Sequence, residues 1–374
     1  MKRRSVSKRF QLTPARSLLA SVCLALAASR ALAQPPAAAN PASAPPPPTL
    51  DAIGSEVKSL FAKSRDAVVR VAAESFYGPQ VGTGFFINPN GTVFTTYALA
   101  GETWNVIVEF GDRKYPAVRL LADDRSGFAV LKIAASDTPF LPLGSARNMA
   151  VATPIFSIGY PLDLPVTPNV GFLAGFDLKY GDRYFSTTLM RANLPAHGGE
   201  QGAPILNMKG EVVGIVIAGM DSHGTTCYAL PINAAIKVYH DYERFGVPRP
   251  GWVGVSVPVL KGFDTEGYEA VVTDLIEDAP ATVAGLKPGD IILEVNGMTL
   301  KKPADMIDAS FYLTAGDTVP LKIKRGEEVL TLDVEAIDNP TASFFINKII
   351  EARPFADGEP SLPDGKRLKL EATP

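Results

Sequence analysis

The chain has 374 residues, of which 46% are hydrophobic and 20% charged, and its formal net charge is −3. This length exceeds what a single hydrophobic core usually holds, and it indicates two domains with extensions. The slightly acidic balance excludes the strongly basic surface that nucleic-acid binding requires, so we expect no nucleic-acid partner.

The first 33 residues have the pattern of a secretory signal peptide. A basic start precedes an apolar run over residues 18–28, and a small-residue cleavage site ends at Ala33. The apolar run is about half as long as a membrane-spanning helix, so we expect cleavage rather than a membrane anchor. Removing residues 1–33 takes away seven basic side chains and changes the net charge from −3 to −10. We therefore expect an exported protein, periplasmic or secreted, with no stable membrane span after cleavage.

Composition then divides the rest of the chain. Residues 34–49 are uncharged and rich in proline and alanine, which predicts an extended linker. Residues 50–246 form the first predicted domain, and a Pro/Gly-rich stretch separates it from a second domain at residues 251–338. Residues 339–374 are a C-terminal tail to which the sequence assigns no function.

Short strands separated by turns dominate the first predicted domain, between a helix that starts near residue 50 and another at residues 232–245. The strands are predicted at residues 82–87, 93–96, 105–110, 117–121, 128–133, 154–159, 171–178 and 184–190. This spacing is typical of an antiparallel barrel or sandwich rather than a parallel sheet. The second domain has a predicted helix at residues 304–313 and strands at residues 319–325 and 328–335.

The segment over residues 196–206 has the outline of a serine-protease nucleophile loop. Its glycines permit tight backbone bends, and Pro204 leads into an apolar strand. The central residue, however, is Gln201, and an amide is neither a nucleophile nor a base.

Six motifs in this order resemble the HtrA/Deg family of serine proteases. They are GTGFFINPNG at 82–91, FAVLKI at 128–133, SIGYP at 157–161, GEVVGI at 210–215, YALPIN at 228–233 and AGLKPGD at 284–290. The resemblance implies a mainly β fold, in which a trypsin-like double β-barrel is followed by an α+β PDZ domain.

That resemblance also implies a catalytic histidine, aspartate and serine, which work as a unit. The positions that match them in this chain carry Ala98, Gly127 and Gln201. Loss of the serine or the histidine alone costs such enzymes roughly a million-fold in turnover. We therefore expect no catalytic residue, cofactor or metal, although Gly199 keeps a backbone N–H where an oxyanion hole would form.

Few other residues offer a substitute for the missing groups. Besides His197, the histidines are His223, which we expect in a surface turn, and His240, which we expect solvated or half-buried on the closing helix. A rearranged pair of His197 and Cys227 is the remaining alternative. A lone thiol in an apolar strand is more often a small core residue.

By resemblance, the PDZ domain would hold a peptide beside a sheet edge and its terminal carboxylate on a loop. The groove residues implied are Trp252, Val253, Gly254 and Val255 in the loop, and Ile307, Ser310 and Phe311 on the facing helix. The alternative is that Trp252 and Phe311 belong to the core and that the groove is closed.

These observations favour an exported pseudoprotease that binds peptide or unfolded protein segments as a scaffold, a regulator or a chaperone-like protein. An active protease relative is a further candidate partner, and the resemblance leaves a homo-oligomer open. Two alternatives remain: an active serine-type endopeptidase of the HtrA family with an unorthodox catalytic set, and a structural subunit.

Overall fold

A computed structural model describes residues 50–180, 183–219, 225–256 and 267–338. The predicted signal peptide (1–33), linker (34–49) and tail (339–374) lie outside the described residues, as does His223, and the domain boundaries stay predictions. The described residues belong to a compact unit that begins at Thr49.

The first part of this unit is a seven-stranded antiparallel sheet, called the N-terminal sheet below. Its elements are α1 (Leu50–Ser64), a 3-10 turn (Arg65–Ala67), β1 (Val68–Ser75), β2 (Gly78–Phe86), β3 (Thr92–Thr96), α2 (Tyr97–Ala100), β4 (Trp104–Phe110), β5 (Arg113–Pro116), β6 (Val118–Asp123) and β7 (Phe128–Lys132). The strands are ordered β5-β4-β1-β2-β3-β7-β6. Aromatic and β-branched residues fill these strands, and such side chains pack well on a pleated surface.

The second part is a closed six-stranded barrel. Its strands are β8 (Pro154–Gly159), β9 (Thr167–Tyr180), β10 (Arg183–Ala192), β11 (Pro204–Leu206), β12 (Val212–Gly219) and β13 (Cys227–Pro231), with a 3-10 turn at Pro161–Asp163. They close in the order β10-β13-β12-β11-β8-β9. Helix α3 (Ile232–Phe245) follows and ends at Gly246, whose left-handed backbone lets its N–H donate to the Tyr242 carbonyl at 2.7 Å.

The N-terminal sheet and the barrel share one hydrophobic core. Phe85, Phe94 and Phe128 from the sheet join Phe156 and Leu230 from the barrel in a single cluster of buried residues. The Phe94 and Phe128 rings meet edge to face, with their centroids 4.7 Å apart, a preferred geometry for aromatic pairs. The two halves therefore pack as one domain.

The third part is a smaller domain with its own core, called the C-terminal domain below. Its elements are β14 (Gly251–Trp252), β15 (Val255–Ser256), β16 (Ala270–Val271), β17 (Asp274–Leu275), α4 (Pro280–Val283), β18 (Ile291–Val295), β19 (Met298–Thr299), α5 (Pro303–Phe311), β20 (Thr318–Arg325), β21 (Glu328–Glu335) and β22 (Ile337–Asp338). Buried side chains such as Ile292, Leu321 and Val334 form a cluster separate from those of the barrel.

Asp290 explains the Pro-Gly-Asp turn of this domain. Its carboxylate is only 2% exposed and accepts hydrogen bonds from the Lys287 N–H and the Arg325 Nε, both at 2.8 Å. The hydrogen bond from Arg325 holds the pKa of Asp290 below its usual value. The acid therefore fixes the turn and joins it to β20.

Two carboxylates fix the C-terminal domain on the barrel. Asp241 of α3 is buried and accepts hydrogen bonds from Lys237 Nζ at 2.6 Å and from Thr314 Oγ1 at 2.8 Å. Asp308 of α5 accepts hydrogen bonds from Thr187 Oγ1 at 2.9 Å and from the Thr188 N–H at 2.6 Å, both on β10. The buried charge of Asp241 needs partners of this kind, and the half-buried Asp308 adds a second contact where the domains meet.

Candidate functional site

The loop before β11 is shaped by two glycines with left-handed backbones. Gly199 has φ +96° and Gly202 has φ +86°. A Cβ atom would lie 2.0 Å from the Tyr160 carbonyl oxygen at Gly199 and 1.9 Å from the Thr83 carbonyl oxygen at Gly202. Real contacts of a Cβ atom are never this short, so only glycine fits either position.

Backbone hydrogen bonds hold this loop against the N-terminal sheet and the barrel. The Thr83 N–H donates to the Gln201 carbonyl at 2.8 Å, and Thr83 Oγ1 donates to the Gly199 carbonyl at 2.7 Å. The Gly202 N–H donates to the Val216 carbonyl of β12 at 2.8 Å. None of these bonds uses the side chain of Gln201, so the loop keeps its shape whichever residue stands there.

Glu200 is a site residue that the sequence analysis missed. Its side chain is 1% exposed, and its carboxylate accepts hydrogen bonds from the His197 N–H at 2.7 Å and from Asn169 Nδ2 at 2.6 Å. The contact with the His197 N–H could be predicted from the sequence, because an acid three residues after a residue in a tight turn can accept a hydrogen bond from its backbone N–H. No sequence pattern links Glu200 to Asn169, since 31 positions separate them.

The structure brings Ala98 and Gly127 to one end of the paired strands β3 and β7. Thr96 pairs with Phe128, and the Tyr97 N–H donates to the Gly127 carbonyl at 2.8 Å. Ala98 follows in α2 and is exposed, and its methyl group offers nothing that takes a proton. Gly127 has φ +73°, a conformation that an L-aspartate adopts with strain.

These positions meet the loop where the N-terminal sheet joins the barrel. A Cβ atom on Gly82 would lie 2.2 Å from Leu99 Cδ1 of α2 and 2.9 Å from the Gln201 carbonyl oxygen. A Cβ atom on Gly127 would lie 3.6 Å from Ile217 of β12. Helix α2, the loop and the β6–β7 turn therefore surround one junction. The side groups there are the methyl group of Ala98, the hydrogen atom of Gly127 and the amide of Gln201.

The other predicted candidates do not assemble into a nucleophile and a base. Cys227 is fully buried in β13, and burial raises the pKa of its thiol to about 12, so almost no thiolate forms at neutral pH. His197 is exposed in the loop, and His240 is exposed on α3. Asp123 accepts hydrogen bonds from Ser126 N–H at 3.2 Å and Oγ at 2.5 Å, which makes it a turn residue.

The seven predicted groove residues line one cavity of about 240 Å³ in the C-terminal domain. Residues 252–255 form one wall, with the left-handed Gly254 at φ +78°, and α5 forms the other. Phe311 is only 2% exposed and joins the core of the barrel, whereas Trp252 is half-buried and Ser310 is exposed. The core assignment therefore holds for Phe311, and the cavity remains beside it.

Two further observations concern the described part of the chain. No group of three or more His, Cys, Asp or Glu side chains within it is arranged to hold a metal ion. None of its helices is both long and apolar enough to cross a membrane.

Comparison with known families agrees with this architecture. Residues 82–215 match the trypsin-like peptidase domain, and residues 251–336 match the PDZ domain. Two solved structures share the fold. The HtrA-type protease AlgW with tripeptide covers 76% of this chain and 97% of its own, with 20% identity and a TM-score of 0.62. The match to the serine endoprotease from Yersinia pestis covers 76% of this chain and 98% of that protein's chain, with 23% identity and a TM-score of 0.54.

Sequence relatives extend the comparison. A probable periplasmic serine endoprotease DegP-like from Pseudomonas putida is 30% identical over 266 residues, which are 68% of this chain and 55% of the relative. One with the same name from Hahella chejuensis is 26% identical over 285 residues, 71% of this chain and 61% of the relative. The chain thus spans somewhat more than half the length of these relatives.

The fold and the matches define a mainly β protein, in which a trypsin-like domain precedes a PDZ domain. The predicted fold class is confirmed. In the order of its two domains, the chain is similar to these HtrA-type and DegP-like proteins.

Replacing the glycines of the loop tests its geometry. We expect Gly202→Ala to lower the free energy of unfolding by about 2 kcal/mol or more, because the methyl group overlaps the Thr83 carbonyl and the backbone is left-handed. The control is Gly198→Ala, where a Cβ atom meets nothing within 4 Å, and we expect a change within about 0.5 kcal/mol. Urea unfolding measures both, and equal stabilities would contradict the described loop.

Proposed function

We propose that this protein is an exported, catalytically inactive HtrA-like protein that binds peptide or unfolded protein segments through its PDZ domain. The observation that carries the proposal is the loop itself. Its glycines and backbone hydrogen bonds are in place, while Ala98, Gly127 and Gln201 stand where the resemblance puts the triad. Without a nucleophile and a base, peptide hydrolysis by the usual route has no starting step.

Binding does not depend on those three side chains. The groove is a cavity lined mostly by backbone and apolar side chains, and such grooves hold an extended peptide as an added strand. The structural relative AlgW was solved with a tripeptide, which favours peptide binding in the same fold. The Gly199 N–H could also donate a hydrogen bond to a peptide carbonyl in the degenerate cleft.

The cellular role follows from these two properties. A protein that holds unfolded segments without cutting them acts as a scaffold, as a regulator of an active protease relative or as a holding chaperone. The signal-peptide pattern at residues 1–33 and the periplasmic names of the relatives support export to the periplasm. We include a homo-oligomer in the proposal, and solution mass measurement tests it.

The names of the relatives favour a second function, that of an active serine endopeptidase with an unorthodox catalytic set. In this chain, such a set would draw on His197 and Cys227. The burial of Cys227 and the high pKa of its thiol argue against it. The two functions give opposite results in a digestion experiment.

Unfolded casein incubated with the protein should remain intact. We expect no visible cleavage, because a site without a nucleophile and a base keeps at most roughly 10³–10⁴-fold acceleration over uncatalysed hydrolysis, which is too slow to detect within hours. Gel electrophoresis over several hours measures it, with trypsin as the positive control. Cleavage that disappears in His197→Ala or Cys227→Ala would establish the endopeptidase instead.

Peptide binding should depend on Gly254. A Cβ atom there would lie 2.3 Å from the Ala279 Cβ, and the backbone is left-handed, so Gly254→Ala must displace the loop. We expect fluorescence anisotropy to show an affinity at least about tenfold lower for hydrophobic C-terminal decapeptides, equal to about 1.4 kcal/mol. Gly285→Ala is the matched control, because Gly285 is also left-handed but its Cβ atom meets nothing within 4 Å. Equal losses in both variants would contradict a role for this loop.

A further inference from the structure

Two aromatic side chains stand in solvent at the turn that joins β1 to β2. Phe76 is 67% exposed and Tyr77 is 97% exposed. The Phe76 ring meets the half-buried Trp104 ring of β4 edge to face, with the two centroids 5.0 Å apart. Single exposed apolar residues are ordinary, whereas a cluster of exposed rings marks an interaction surface. Phe76, Tyr77 and Trp104 are called the aromatic tip below.

Hydrogen bonds hold the aromatic tip in its shape. Ser75 Oγ donates to the Gly78 carbonyl at 2.9 Å and accepts from the Tyr77 N–H at 3.2 Å. These two bonds close the turn around Phe76 and Tyr77. Trp104 Nε1 donates to a carboxylate oxygen of Glu74 at 2.9 Å, which fixes the indole ring. A surface that is already ordered loses little conformational entropy when a partner binds it.

The chemistry of the aromatic tip selects a neutral partner that offers carbonyl groups. Its ring faces are apolar, and the exposed Tyr77 hydroxyl can donate a hydrogen bond. The Glu74 carboxylate is occupied, because it accepts from Trp104 Nε1 and from Asn105 Nδ2 at 3.2 Å. A proline-rich segment in the polyproline II conformation has these properties, since its rings pack on aromatic faces and its carbonyls accept hydrogen bonds.

This chain carries such a segment directly before α1. Seven of the 16 residues at 34–49 are proline, four of them consecutive at 45–48, and no residue of the segment is charged. The segment lies outside the described residues and leads into α1 at Leu50.

The linker is long enough to reach the aromatic tip. Sixteen residues of polyproline II span about 50 Å. The tip lies at the far end of β1, whose eight residues span about 26 Å. Helix α1 does not project away from the domain, because its buried Leu60 belongs to the core that the sheet and the barrel share. The linker can therefore run back along the surface to the tip.

We propose that the proline-rich linker at residues 34–49 docks on the aromatic tip of its own chain. The proline rings pack on the faces of Phe76, Tyr77 and Trp104, and a linker carbonyl accepts from the Tyr77 hydroxyl. Because the linker is tethered, its local concentration at the tip is on the order of millimolar, which suffices for a weak contact. The linker is then part of the folded surface rather than a free spacer, whether or not the protein binds peptides.

Quenching of Trp104 fluorescence by acrylamide tests the proposal. The chain has two tryptophans, so Trp252→Phe leaves Trp104 as the only reporter. The chain from Gln34, as expected after signal cleavage, is compared with a chain that starts at Thr49, where the compact unit begins. We expect the quenching constant to rise about twofold without the linker, because the tethered prolines no longer cover the indole. A linker of equal length with all seven prolines changed to serine should give the same rise.

Two variants separate docking from other effects. Tyr77→Ala should remove the difference between the long and short chains, and thermal melting should show an unchanged fold because Tyr77 is exposed. Phe140→Ala is the matched control, because Phe140 is 51% exposed and stands at the other end of the hairpin, where the Leu141 N–H donates to the Phe86 carbonyl. In this control the difference should persist.

Four results would overturn the proposal. They are equal quenching with and without the linker, full protection by the serine linker, a linker effect that survives in Tyr77→Ala, and protection that grows with protein concentration, which would assign the tip to a second copy. Removal of residues 339–374 is measured in parallel. If that deletion exposes Trp104 and linker removal does not, the tail occupies the tip and the proposal is wrong.

Discussion

The carbonyl oxygens of Thr83 and Tyr160 leave no room for a side chain at Gly202 and Gly199. This close approach ties the loop before β11 to the N-terminal sheet and to the 3-10 turn after β8. The hydrogen bonds that complete the contact come from the backbone and from the Thr83 hydroxyl. Because none of them involves the side chains at positions 98, 127 and 201, the shape of the site does not depend on its chemistry.

The fold at this junction is held by contacts other than those of a catalytic triad. The junction of sheet and barrel is held by a shared aromatic core, and the buried Glu200 ties the loop to β9 within the barrel. Neither contact needs a reacting serine. The same domain also contributes to the PDZ groove. Arg125, which lines the cavity of the C-terminal domain, stands two residues before Gly127 in one turn, so a few backbone units join that cavity to the junction around the loop.

Much of the fold could be predicted from local patterns. The closing helix runs over Ile232–Phe245 as predicted, because its apolar periodicity is regular and Gly246 ends it. Strand β9 extends well beyond the predicted residues 171–178, since glycines and polar residues in Thr167–Tyr180 hide its alternation. Pairs such as β15 (Val255–Ser256) and β17 (Asp274–Leu275) could not be predicted, because two residues show no period.

The residues of the site also divide into those that local sequence identifies and those that only the packed structure brings together. The glycines of the loop lie within one short segment, and the groove residues lie in two short segments, 252–255 and 307–311, so local motifs identify them. The contact of Asn169 with Glu200 and the stacking of Arg125 on Phe311 join distant segments, and only the packed structure brings them together.

The central claim is that the folded protein has no activated nucleophile at this loop. Intact mass spectrometry tests it directly after separate treatment with a fluorophosphonate, which modifies activated serines, and with a peptide vinyl sulfone, which modifies activated thiols. We predict that the mass of the native protein stays unchanged with both reagents at neutral pH. A single stoichiometric adduct that requires the folded protein would contradict the account and favour the alternative of an active endopeptidase.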